Sequence, residues 1–187
     1  MLDFTLIDKN WTLFLDRDGV IDVDKEDSYI FNVQEFFFLE GVLAAVKKLN
    51  ETFGVIVVAT NQKGIGKGLM TVEDLDNIHA YMLDEINKAG GRIDKIYFAS
   101  DLDDNSPNRK PQPGMAWQAK TDFPQIDFSK SIMVGNRVTD MQFGRNAGMH
   151  TVFLATTNPE IPFPNEFTDA RFNSLYEFAQ ALPATKS

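Results

Sequence analysis

Cysteine is absent from the chain. That excludes a disulfide framework, a thiolate metal site and a cysteine nucleophile. Long apolar runs are missing too, and none approaches the ~20 residues a membrane span needs. Positive charge is scarce: 18 Lys and Arg stand against 27 Asp and Glu, a formal net charge of −9. Such a balance argues against a nucleic-acid backbone or an anionic membrane as the main partner. The first residues, MLDFTLIDKN, are acidic and contain neither the apolar h-region nor the cleavage site of a secretory signal. A cytoplasmic protein is the expectation, with no membrane and no nucleic acid among its partners. Only two histidines occur. His79 falls on a helix and His150 at a strand's start, where structural roles are expected.

What is present suits a core of ordinary size. Of 187 residues 43% are apolar, enough for one domain over 1–187, expected to be a monomer. Strand and helix patterns alternate along it. WTLFL (11–15), GVIVVAT (54–60), IDKIYFA (93–99), SIMVG (131–135) and HTVFLA (150–155) read as strands. The β-branched run at 54–60 is typical of a strand covered on both faces. Within 40–53, Val42, Val46 and Leu49 share one helical face, with Leu43 beside them. The segment 71–91 opens on a Thr71 N-cap, carries Leu75, Ile78, Met82 and Ile86 on one stripe, and stops at Gly90-Gly91. Further helices are read from Pro113, over 139–147 and near 174–182. This alternation predicts an α/β fold, a Rossmann-like three-layer α/β/α arrangement around a central parallel sheet. Ligands of such sheets bind beyond the carboxyl ends of the strands. Every polar motif of interest sits at such an end.

Four of these ends carry chemistry. In DRDGVID, Asp16 and Asp18 follow the first strand two residues apart, so both carboxylates point one way. Gly19 then permits a sharp turn. Like charges this close repel and lose hydration; alone, the pair reads more readily as a turn or a helix cap than as a site. Thr60-Asn61 close the second strand and lead into QKGIGKG, whose backbone N–H groups can cradle an anion. That segment is neither a Walker A loop nor G-x-G-x-x-G, and a flexible loop is its alternative reading. RKPQPG (109–114) places Arg109 and Lys110 before a proline-started helix, with Lys110 a mobile charge for phosphate oxygens. VGNRVTDMQFGRNAG (134–148) sets Asn136 and Asp140 in the turn after another strand, as caps or as oxygen ligands for Mg²⁺. Together these groups can hold a phosphate beside a divalent metal. Mg²⁺ and Lys110 would then offset the repulsion of the aspartate pair.

In this order the segments resemble the haloacid dehalogenase (HAD) superfamily of phosphohydrolases, subfamily IIIA. The similarity is to the branch containing histidinol-phosphate phosphatase and D-glycero-D-manno-heptose 1,7-bisphosphate phosphatase. It spans about Trp11 to Phe153 and rests jointly on DRDGVI, TNQKGIGKG, RKPQPGM and VGNRVTDMQFGRNAGM. No large cap insertion is present, as in capless members. The resemblance implies that Asp16 is a nucleophile forming an aspartyl-phosphate. It implies that Asp18 protonates the leaving alcohol and later takes a proton from water. Mg²⁺ would be held by Asp16, the Asp18 backbone carbonyl and Asn136. Thr60, Asn61 and Lys110 would hold the phosphoryl oxygens. Arg17, between the two aspartates, is expected to point away from them as a structural residue.

Lys63, Lys67, Arg109 and Arg137 lie at the expected mouth and tilt the substrate towards a sugar bisphosphate, with histidinol phosphate the alternative. Two departures from the family pattern stand out. Asn136 replaces the usual Asp and removes a charge from the metal site, so a catalytically weak, phosphate-binding relative is a rival reading. Relatives with a zinc loop carry Cys and His where this chain has SDLDDNSPN (100–108). No zinc is expected, and Asp101, Asp103 and Asp104 read as an exposed acidic loop. A signalling receiver domain is the rival from another class, but it carries its phosphoacceptor on a later strand than its acidic pair. The proline-rich stretch 155–172 is expected to be a loop near the site without chemistry of its own.

Overall fold

The structure, a computed structural model, describes residues 2–183. Six strands form one sheet: β1 (Thr12–Leu15), β2 (Val55–Asn61), β3 (Lys95–Ala99), β4 (Ser131–Gly135), β5 (His150–Leu154) and β6 (Ala170–Phe172). Their spatial order is β3-β2-β1-β4-β5-β6, and every neighbouring pair is parallel. β1 lies at the centre, with Leu13 level with Ile56 on one side and Ile132 on the other. The helices are α1 (Val42–Thr52), α2 (Lys63–Gly66), α3 (Val72–Lys88), α4 (Gly114–Asp122), α5 (Val138–Ala147) and α6 (Leu175–Ala181).

From β1 the chain winds outward to β3 and then returns to build β4, β5 and β6 on the other side. The winding direction therefore reverses between β1 and β4, which opens a crevice at their carboxyl ends. Right-handed crossovers place the helices of the two halves on opposite faces. Alternate strand residues follow suit. Leu13, Leu15, Ile56, Val58, Ile132 and Val134 join the core under α1, α3 and α6. Phe14, Val57 and Met133 join a second core with Met115 of α4 and Phe143 of α5.

α3 forms as its sequence dictates. Thr71 and Asp74 make a reciprocal capping box, worth about 1 kcal/mol. Leu75, Ile78, Met82 and Ile86 are all buried, each stabilising by roughly 1.5–3 kcal/mol. Packing outweighs capping here. Two elements differ from expectation. The glycine-rich QKGIGKG contains the helical turn α2 instead of an open loop. β6 is three half-buried residues with no alternation to announce it, and its pairing with β5 defines it. Between β1 and α1 the chain makes an excursion that an antiparallel bridge between Asp22 and Phe38 closes. Its residues 24–29 lean over the crevice. Among the described residues no helix is long and apolar enough to cross a membrane.

Candidate active site

A cleft of about 680 Å³ opens beyond the carboxyl ends of β1 and β2 and the start of α5, with Asp16, Asp18, Asn61, Lys110 and Asp140 among its walls. At its floor the buried Lys110 ammonium lies between two carboxylates, 2.9 Å from Asp16 Oδ1 and 2.7 Å from Asp140 Oδ1. Asp140 also starts α5. Its Oδ2 accepts the N–H groups of Asn136 and Arg137 at 3.1 and 2.9 Å. Gly135 makes that approach possible, because a Cβ there would lie 2.2 Å from the Asp140 Cβ. One carboxylate thus caps a helix and anchors the lysine. Burial, then the charge of Asp140, push the Asp16 carboxyl up to about 7, while Lys110 pulls it down. Burial pulls Lys110 down in turn, but Asp140 and Asp16 outweigh it and leave it raised. Asp16 Oδ1 also accepts the Arg17 N–H at 2.8 Å.

Arg17 does not point away from both aspartates. After Asp16 the chain coils, the Arg17 carbonyl accepting N–H groups from Val20, Ile21 and Asp22. The fully buried guanidinium turns back, with Nη2 2.6 Å from Asp18 Oδ1. Its Nε lies 3.6 Å from buried Asp22, and Nη1 is 3.4 Å from His79 Nε2. Arginine only donates, so His79 accepts there as a neutral ring. Its burial, then the nearby Arg17 charge, hold it down at about 3. Burial and the Asp18 charge raise Asp22 well above the usual carboxylate range. The other Asp18 oxygen accepts Gln62 Nε2 at 2.9 Å and Thr60 Oγ1 at 3.4 Å. The Asp18 carboxylate is therefore held from two sides.

The Asn61 amide is committed to the Lys110 backbone, donating to its carbonyl at 3.2 Å and accepting its N–H at 3.1 Å. Asn61 thus positions the lysine. Asn136 is fully buried at the end of β4. Its Nδ2 donates to Thr157 Oγ1 at 2.9 Å, and its Oδ1 is buried without a hydrogen-bond partner among the described residues. A buried carbonyl oxygen left unpaired is costly, and a cation would satisfy it. Among the described residues no three carboxylate or imidazole side chains are grouped so as to hold a metal ion. The donors expected from the sequence, one carboxylate, one peptide carbonyl and this amide, are all oxygen, the ligand type Mg²⁺ prefers.

The loop after β5 is tied to the turn after β1 and to the end of β4. Thr156 donates to the Gly19 carbonyl and Asn158 to that of Asn136. On the rim, Lys63, Lys67, Arg109 and Arg137 all line the cleft. Exposed Asp104 pairs with Lys63 at 3.0 Å and with Arg109 at 2.9 Å. Arg137 pairs with Asp24 at 2.6 Å, and Lys67 sits 5.4 Å over the Tyr29 ring. Sequence reading missed Gln62, Asp22 and Thr157. Gln62 had a signal, since it alternates with Thr60 at the tip of β2. Thr157 had none in its spacing. His150 does have a structural place, stacked on Trp11 at 5.6 Å.

Residues 107–160 match a family model described as HAD-hydrolase-like. The chain is 38% identical to the D-glycero-alpha-D-manno-heptose-1,7-bisphosphate 7-phosphatase of Campylobacter jejuni, over 78% of this chain and 83% of that protein. It is 34% identical to the D-glycero-beta-D-manno-heptose-1,7-bisphosphate 7-phosphatase of Yersinia pestis, over 92% and 95%. Its fold matches the crystal structure of D,D-heptose 1,7-bisphosphate phosphatase from B. bronchiseptica complexed with magnesium and phosphate. That match has a TM-score of 0.83 at 29% identity, covering 91% of this chain and 96% of the other.

Proposed function

The chain belongs to the HAD-like phosphatases, and on that premise we propose that it removes the 7-phosphate of D-glycero-D-manno-heptose 1,7-bisphosphate. The observation that carries this reading is the buried Asp16–Lys110–Asp140 floor beneath a rim of four cations. Relatives named for that substrate support it.

Asp16 attacks phosphorus, the phosphorus–oxygen bond to the sugar breaks, and Asp18 gives its proton to the departing alkoxide. Asp18 then takes a proton from water as that water cleaves the aspartyl-phosphate, which frees phosphate and restores Asp16. Arg17, Gln62 and Thr60 hold the Asp18 carboxylate in place for both transfers. Lys110 neutralises Asp16 before attack and the phosphoryl oxygens during it. Asp16, the Asp18 carbonyl and Asn136 Oδ1 would hold Mg²⁺, which would supply further positive charge at the transferring group.

The second phosphate belongs at Lys63 and Arg109, where Asp104 now provides the negative charge. Asp104→Asn removes that competitor. KM for the bisphosphate is expected to fall by roughly two- to fivefold, as befits an exposed pair, with kcat and the KM for a monophosphate unchanged. Initial-rate kinetics on both substrates check it.

The function itself is tested by phosphate release from heptose 1,7-bisphosphate, histidinol phosphate and common sugar phosphates, with Mg²⁺ and with EDTA. The heptose bisphosphate is expected to be turned over best, and only with Mg²⁺. Preference for histidinol phosphate would reassign the substrate. Silence across the panel with Mg²⁺ still bound would mark a weak, phosphate-binding relative and implicate Asn136.

A further inference from the structure

We infer that Thr157 is a positioning residue: its hydroxyl partners the NH₂ end of the Asn136 amide and so supports the orientation in which oxygen, not nitrogen, is left for the metal. The inference rests on the reading of Asn136 as a Mg²⁺ ligand. A carboxylate presents the same oxygen at either end, whereas an amide has one acceptor end and one donor end. An asparagine in that place binds a cation only in one of its two orientations. The reversed one would aim two N–H groups at positive charge.

The useful orientation is the one present, and Thr157 gives its NH₂ group an acceptor. Asn136 Nδ2 donates to Thr157 Oγ1 at 2.9 Å, which leaves Oδ1 buried and unpartnered. Gly19, at φ +78°, lies against the same NH₂ end of the amide. A Cβ there would come within 2.1 Å of Asn136 Nδ2 and 2.8 Å of Thr157 Oγ1. The loop that brings Thr157 is itself pinned. Thr156 Oγ1 donates to the Gly19 carbonyl at 2.5 Å, and Asn158 Nδ2 to the Asn136 carbonyl at 2.9 Å. A hydroxyl both donates and accepts, so Thr157 can serve an amide or a carboxylate. Only the amide depends on it. With valine at 157 the buried NH₂ loses its acceptor, and an unpaired buried donor is expensive.

Isothermal titration of Mg²⁺ into the full chain without substrate tests this independently of turnover. Thr157→Val is expected to weaken Mg²⁺ binding about tenfold, the scale of losing a partner that orients a metal ligand. Thr157→Ser keeps the hydroxyl and restores affinity. In an Asn136→Asp background, Thr157→Val should change affinity by less than about twofold, because the two sites are coupled through the amide alone. An equal loss in both backgrounds would show that Thr157 merely supports its loop, and would overturn the inference. Unchanged affinity in Thr157→Val would overturn it too, provided Asn136→Ala still weakens binding. If Asn136→Ala leaves Mg²⁺ affinity unchanged, the reading of Asn136 as a ligand fails and this inference with it.

Discussion

Asp16→Asn is expected to abolish phosphate release while leaving a protein that folds at least as well as the wild type. Asparagine has no anionic oxygen to attack phosphorus, and losing a nucleophile costs on the order of 10⁴-fold or more in turnover. Its stability should move the other way. Burial and Asp140 raise the Asp16 carboxyl to about 7, so the folded state favours the protonated acid. Such a group stabilises fully below the ordinary carboxylate range, and that contribution is lost as pH rises through about 7. Asparagine carries no such liability. Without Mg²⁺ the wild-type Tm should therefore fall relative to the variant from about pH 4 to about pH 7 and level off above that. Thermal unfolding with and without Mg²⁺ measures this, and Mg²⁺ should stabilise the wild type more at the upper end. A variant that is inactive because it is misfolded would show the opposite order of Tm.

Lys110→Met is expected to be the most damaging single change to the fold at the site. The methionine fills similar volume but leaves Asp16 and Asp140, both buried, without a cation between them. Removing one partner of a buried ion pair costs about 3–5 kcal/mol. In a chain of this size that lowers Tm by roughly 10 °C. Turnover should disappear as well, since no ammonium then offsets charge in the transition state. A second change separates the two effects. Lys110→Met with Asp140→Asn should recover much of the stability, by removing one of the stranded charges, and none of the activity. Recovery of activity would mean that Lys110 acts through the fold alone.

The parts that were legible from sequence are those where several local signals agree. α3 has its cap, its apolar stripe and its glycine stop, and all three describe the same helix. Asp16, Thr60, Lys110 and Asn136 were found because parallel strands share a carboxyl end, where residues far apart in the chain converge. The misreading of Arg17 came from assuming an extended chain after Asp16, whereas three N–H groups coil onto its carbonyl. An extended residue would have faced away; a coiled one folds back on Asp18. Asp104 looked merely solvated, and it remains exposed, yet the helical turn α2 brings Lys63 to it. Thr157 meets Asn136 through the fold beyond β5, a contact that no periodicity encodes.

β1 is the first strand of the sheet in the chain and one of the two innermost in space. During synthesis the ribosome releases it long before β4, the neighbour that closes its second side. An apolar strand with an open edge must wait through most of translation, and non-local parallel pairing of this kind is slow and exposed to aggregation. The site inherits that delay. Asp16 and Asn136 lie at neighbouring strand ends only once β1 and β4 are side by side, so the proposed phosphate and Mg²⁺ site is completed only after β4 has been made. A nascent chain that stalls before β4 carries Asp16, Thr60 and Lys110 but lacks Asn136 and Asp140.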